Sequence, residues 1–176
     1  MEASHHVVSL DEQIELILEM QANGGASGVF HGINEDDLRV FLKHPNTMFA
    51  SDSGIRRWKE GVPHPRGYGN NARVLARYVR ELGLLRLEDA VRRMTSLPAT
   101  TFRLRQRGLV KEGCWADLVV FDPAKVQDNA TFSDPHHYAT GFEAVFVNGI
   151  EVVSKDEHTG ARPGHVLRHR AASGER

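Results

Sequence analysis

At 176 residues the chain is long enough for a substantial core in one domain or two small ones, and 22 Lys and Arg against 23 Asp and Glu leave a formal net charge of −1. That balance offers no electrostatic case for nucleic acid or an anionic membrane surface as a partner. A single cysteine, Cys114, excludes an internal disulfide framework; no apolar run approaches the ~18 residues of a membrane span, and "MEASHHVVSLDEQ" lacks the basic start and apolar core of a secretory leader, so a cytoplasmic location is expected.

Ser9 followed by Glu12 predicts a capping box ahead of Ile14, Ile17 and Leu18, which share one helical face, and "NGG" at 23–25 closes that helix. "GVFHG" at 28–32 reads as a short buried strand. Asn34 is placed to cap a second helix, "EDDLRVFLKH", with Leu38, Phe41 and Leu42 on one face, acids in the first turn and Pro45 ending it. "TMFAS" at 47–51 reads as another short strand. A Gly/Pro-rich loop over 53–69 leads to a helix marked by Val74, Leu75, Tyr78, Val79 and Leu82 and stopped at Gly83. A further helix over 87–96 carries Leu87, Ala90, Val91 and Met94 inward, and Pro98 opens a short one bearing Phe102.

From Gly108 the pattern turns strand-like: "GLVKEG", "ADLVVFD", "AVFVNG" and "IEVVS", separated by Gly, Asn-Gly and Asp-Pro. The tail, "GARPGHVLRHRAASGER", is polar. The expectation is an α/β chain, βα-βα-α to about residue 107 and β-rich to about 153. Two parallel strands with their helices cannot close a sheet or cover both its faces, so the fold reads as the end of a larger α/β barrel or open sheet.

Asp52 is the first chemical candidate. The apolar run Met48-Phe49-Ala50 stops at this acid, and the C-terminal ends of barrel strands are where working residues sit. The competing reading is an Asp that caps a turn through neighbouring amides. In "PHPRGYGNN", at 63–71, two prolines flank His64 and restrict the direction of Arg66, whose guanidinium suits a substrate carboxylate. Taken alone, Arg66 equally suits an ion pair with a surface acid, and His64 a structural hydrogen bond.

Ten histidines invite a search for metal ligands. His5-His6 and His136-His137 are adjacent pairs whose rings point to opposite faces of an extended chain. There is no His-x-His, HExxH or paired CxxC; His165 and His169 lie in a tail after Pro and Gly, and His31 faces a barrel centre or packs within its strand. Three or four zinc ligands do not assemble. Cys114 reads as a packed apolar side chain. Phosphate-binding glycine patterns and a nucleophile elbow are missing too.

"GLVKEGCWADLVVFD" and "VFVNGIEVV" resemble the segments that close the composite β-domain of amidohydrolases. "FASDSG", "GVPHPRGYGNNARVLARYVRELG" and "LEDAVRRMTSLPATTFRL" are narrower: they resemble the C-terminal part of N-acyl-D-amino-acid deacylases (D-aminoacylases), over about Gly24 to Arg168. The resemblance implies that residues 1–107 are the last βα units of a metal-dependent TIM-type barrel and 108–176 strands of a composite β-sandwich domain and tail. It implies zinc as cofactor and a small N-acyl-D-amino acid as substrate, hydrolysed to a carboxylate and a D-amino acid. Asp52 matches the strand-end aspartate that handles the proton of the attacking water beside the zinc and is a candidate metal ligand; Arg66 matches the arginine that binds the substrate carboxylate.

Departures accompany the match. The family's His-x-His, bridging ligand and later barrel histidines have no counterpart in these residues, "SDSG" replaces a shorter "SDG", and the spacing from Asp52 to Arg66 is longer. A stand-alone binding or scaffold protein without catalysis is therefore one alternative, and an enzyme acting on a cyclic amide, dihydroorotase- or hydantoinase-like, is another. Unpartnered strand edges and apolar faces lead us to expect self-association or marginal stability of this chain by itself.

Overall fold

The structure, a computed structural model, describes residues 9–25 and 32–168. They fall into two compact units, divided after Gly32. The first contributes one described element, α1 (Leu10–Ala22), closed at its N-terminus by the expected capping box: the Ser9 hydroxyl accepts from the Glu12 N–H, and the Glu12 carboxylate accepts from the Ser9 N–H at 2.9 Å. No residue of α1 is buried; Ile17 and Leu18 are 64% and 63% exposed. The expected strand at 28–32, with His31, lies outside the described residues apart from Gly32.

The second unit begins with α2 (Glu35–Lys43), capped by Asn34, whose side-chain oxygen accepts from the Asp36 N–H at 2.7 Å. Leu42 is buried and Leu38 half-buried, but Phe41, expected on the same face, is 66% exposed. Next comes α3 (Arg66–Arg73), which continues without a break as a π-helical segment over Val74–Glu81. The wider π turn supplies the largest single share of the core: Val74, Leu75 and Tyr78 are buried with Leu42, Ala72, Leu85, Ala90 and Val126. α4 (Leu87–Met94) and α5 (Ser96–Thr101) follow; Pro98 sits inside the first turn of α5, and Phe102 is exposed at its end.

Between residues 33 and 107 the described backbone contains no strand. The expected strand "TMFAS" makes no ladder; Phe49 packs, partly buried, against the core. A strand exists only through a hydrogen-bonded neighbour, and no other segment in this half supplies one.

The sheet is built as expected from the last third of the chain. β1 (Leu118–Phe121), β2 (Phe142–Val147), β3 (Ile150–Ser154) and the short, unforeseen β4 (Glu157–His158) form an antiparallel meander in chain order. Asn148-Gly149 turns β2 into β3 with φ of 51° and 81°, the primed turn that Asn-Gly favours. "GLVKEG" is not a strand, and Cys114, expected to be packed away, is half-buried beside the exposed Trp115. The core crosses from helices to sheet: Phe121 and Phe142 pack against the buried cluster. Beside them a hollow of about 920 Å³ remains between the sheet, α4 and the α3 helix, lined by Leu75, Val91, Val119, Val145 and Val153 among others.

Two contacts fix this unit and make stability predictions. Gly141 has φ of 93°, and a Cβ there would lie 2.5 Å from the Val126 amide nitrogen. Gly141→Ala combines left-handed strain with a backbone clash and is expected to cost ~3 kcal/mol or more in a denaturant titration. Arg93, 3% exposed, ties α4 to α2: its guanidinium meets Asp89 at 2.5 Å and donates to the Leu42 carbonyl. Hydrogen bonds from Arg93, and with it Arg92, hold the Asp89 carboxyl below its ordinary 3.8. The folded value is the depressed one, so this stabilisation is complete above about pH 4 and is lost as pH falls through the folded value. Asp89→Asn leaves Arg93 buried without its counter-charge, at roughly 3 kcal/mol. The variant should melt lower than the native protein at pH 6, and the gap should narrow as pH falls below the ordinary 3.8 of an aspartate and through the lower folded value.

Candidate functional site

Asp52 and Arg66 come together. Fourteen positions apart in sequence, they form an ion pair with Arg66 Nη2 2.9 Å from Asp52 Oδ2. The carboxylate is 87% exposed and the guanidinium 42% exposed, so the pair stands open to solvent. Asp52 has φ of 47°, a left-handed conformation that Asp adopts more readily than most residues, and it turns the chain sharply out of 47–51 into the loop.

Arg66 is aimed by local structure. It is the first residue of α3, and its backbone N–H donates to His64 Nδ1 at 3.1 Å. His64 thus has the structural hydrogen bond considered for it, and Pro65 between them already holds helical φ. Its ring also meets Phe132 edge-on at 5.1 Å. Gly67 lets the start of the loop lie on the first turn of α3: a Cβ there would be 2.7 Å from Ser53 Oγ.

An aromatic cluster that sequence reasoning missed backs the loop. Trp58 stacks on Tyr138, centroids 4.5 Å apart and planes inclined 13°, and meets Tyr68 and His136 edge-on. His136 sits within it: Nδ1 accepts from the Lys59 N–H at 3.3 Å and lies 2.8 Å from the Tyr68 hydroxyl, while Nε2 lies 3.0 Å from the Gly61 carbonyl. The only hint in the sequence is the aromatic density of "HHY" at 136–138, and nothing local connects it to a tryptophan some eighty positions earlier.

The described residues do not fit a zinc site by themselves. No group of three or more His, Cys, Asp or Glu among them could hold a metal ion. Asp52 offers one carboxylate, and that carboxylate is engaged with Arg66. His137 pairs with Asp134 at 2.7 Å, and His158 accepts from the Gly160 N–H. No described helix is long and apolar enough to cross a membrane.

Helices leading into a small antiparallel sheet, with a carboxylate–guanidinium pair where a long loop begins and ends, define an α/β chain with an exposed polar site. Residues 5–153 match the amidohydrolase family, and the chain belongs to it. Among curated relatives it is 42% identical over 158 residues to a D-aminoacylase of Alcaligenes xylosoxydans xylosoxydans, covering 90% of this chain and 31% of that protein. To an N-acyl-D-aspartate deacylase of the same organism it is 44% identical over 143 residues, covering 81% and 28%. A solved N-acyl-D-glutamate deacylase from Bordetella bronchiseptica, complexed with zinc and a phosphonate mimic of the tetrahedral intermediate, aligns with a TM-score of 0.70 and 44% identity, over 78% of this chain and 28% of that one. The chain thus spans less than a third of the length of these relatives.

Proposed function

We propose that these residues are the C-terminal part of a zinc-dependent N-acyl-D-amino-acid deacylase, with 1–107 belonging to its barrel and 108–176 to its composite β-domain. The observation that carries this reading is the Asp52–Arg66 pair, 2.9 Å apart and open to solvent, in a chain 42% identical to a D-aminoacylase. Each group then has a separate task on one small substrate. Arg66 grips the α-carboxylate with two parallel N–H···O bonds, as a planar fork does best. Asp52, released from Arg66 by that exchange, accepts a proton as the water oxygen bonds to the acyl carbon. The C–N bond breaks, the proton passes to the leaving nitrogen, and a carboxylate and a free D-amino acid result. Zinc, which lies in the Bordetella structure, would supply Lewis-acid activation of the water. Its ligands would have to come from beyond the described residues, with Asp52 giving one at most.

Steady-state hydrolysis of N-acetyl-D-amino acids and their L-enantiomers by the intact enzyme tests this reading. Turnover confined to the D series is expected; equal turnover of both, or of neither, contradicts it. Hydrolysis of a cyclic amide in their place would identify the hydantoinase-like alternative.

One observation favours a non-catalytic binding role for the chain by itself: the absence of a metal-holding group among the described residues. The isolated 176-residue chain is accordingly expected to show no deacylase activity. Val119 and Val120 are half exposed on β1, an edge strand, and Leu109 and Val110 are 58% and 90% exposed. Self-association in sedimentation velocity is expected from these surfaces. A monomer melting cooperatively at high temperature would contradict that.

A further inference from the structure

Three parts of the chain meet at one imidazole. His136 accepts from the Lys59 N–H and faces the Gly61 carbonyl, both in the loop that follows Asp52, and it meets the hydroxyl of Tyr68, two residues into the helix that Arg66 starts. With two donors at Nδ1, the proton is assigned to Nε2, which donates to Gly61. The half-buried ring therefore fixes the middle of the loop relative to the first turn of α3. Its own position is set by the preceding Pro135, which is buried, and by a turn in which the Thr131 N–H donates to the Asp134 carbonyl. Trp58 on Tyr138 and His64 on Phe132 add apolar contacts between the same two segments. Nothing else in the loop between Ile55 and Val62 is buried: Ile55 is fully exposed and Val62 is 72% exposed. The loop thus has no core of its own, and its conformation depends on residues 131–138.

We propose that His136 is a positioning residue for Arg66: it latches the 53–65 loop to segment 131–138 and so sets where the guanidinium presents its fork to a substrate carboxylate. The inference rests on the deacylase reading for the carboxylate, but the latch itself is independent of it. Because Arg66 binds and does not transfer a proton, loosening it acts on substrate affinity ahead of the chemical step.

In the intact enzyme, His136→Ala is expected to raise KM for an N-acetyl-D-amino acid about tenfold while kcat changes by less than about threefold. Independently of turnover, the loop carries three trypsin sites, Arg56, Arg57 and Lys59, all exposed. Native-state cleavage at these bonds, mapped by mass spectrometry, should accelerate about tenfold in His136→Ala. His136→Asn, whose carboxamide oxygen stands in place of Nδ1, should recover part of both effects. Should His136→Ala fail to fold, Trp58→Ala, which removes the stack from a 43% exposed side, is expected to give the same two changes.

Unchanged cleavage at 56–59 overturns the latch. Faster cleavage with unchanged KM, or with kcat falling as far as kcat/KM, overturns the positioning role. An intact enzyme that hydrolyses no N-acyl-D-amino acid defeats the deacylase reading, and the cleavage measurement still decides the latch.

Discussion

Asp52→Asn in the intact enzyme is expected to lower kcat by about 10²–10⁴-fold while leaving KM nearly unchanged. The substitution keeps shape and hydrogen-bonding reach but removes the ability to accept a proton at neutral pH. That loss falls on the transition state, where the water's proton is in flight, and not on the bound substrate. The competing explanation would be lost stability, and magnitudes decide against it. The Asp52–Arg66 pair is largely solvated, with the carboxylate 87% exposed, and such pairs contribute about 0–1 kcal/mol. The expected rate loss corresponds to roughly 3–5 kcal/mol in the barrier. Equal unfolding midpoints for the native protein and the variant, beside the loss in kcat, would separate the two. If Asp52 only capped a turn, the result would be the reverse: a small loss of stability and an unaltered kcat.

Arg66 should show the complementary pattern. Arg66→Lys keeps the charge and loses the planar fork, and is expected to lower kcat/KM about 10²-fold; Arg66→Ala should lower it about 10³-fold, through KM in both cases. Two charge-assisted hydrogen bonds to one carboxylate set that scale. A substrate whose α-carboxylate is replaced by a carboxamide provides the control, because it should be turned over poorly by the native enzyme and be insensitive to Arg66→Ala. Insensitivity of the carboxylate substrate itself would return Arg66 to the role of an ion-pair partner on the surface.

The sequence was most legible where the signal is local. Ser9 with Glu12, Asn34 before three acids, and Asn148-Gly149 between alternating apolar runs each act within a few residues, and each appears as expected. The helix over 74–82 was also legible, although its π geometry was not, since the width of a turn responds to what it packs against. "TMFAS" was misjudged for a physical reason: an apolar pentapeptide has strand propensity, but its ladder is a property of a neighbouring segment. Phe41 shows the same limit, because periodicity identifies a helical face without establishing that something covers it. Asp52 and Arg66 could be singled out individually, the acid by its abrupt position after an apolar run and the arginine by its prolines. Their pairing could not be read, and neither could His136, whose role depends on contacts to Lys59 and Gly61 across more than seventy residues.

The pairing also sets the most direct test of the whole account. In this structure Asp52 and Arg66 satisfy each other. If one grips a carboxylate and the other takes a proton from water, the ion pair must open when substrate binds. A crystal structure of the intact enzyme with a phosphonate analogue of an N-acyl-D-amino acid would show this. The expected result is two hydrogen bonds from the Arg66 guanidinium to the ligand carboxylate, with Asp52 turned away and within hydrogen-bond reach of a phosphonate oxygen. An intact Asp52–Arg66 pair beside a bound analogue, or a ligand held elsewhere, would contradict it.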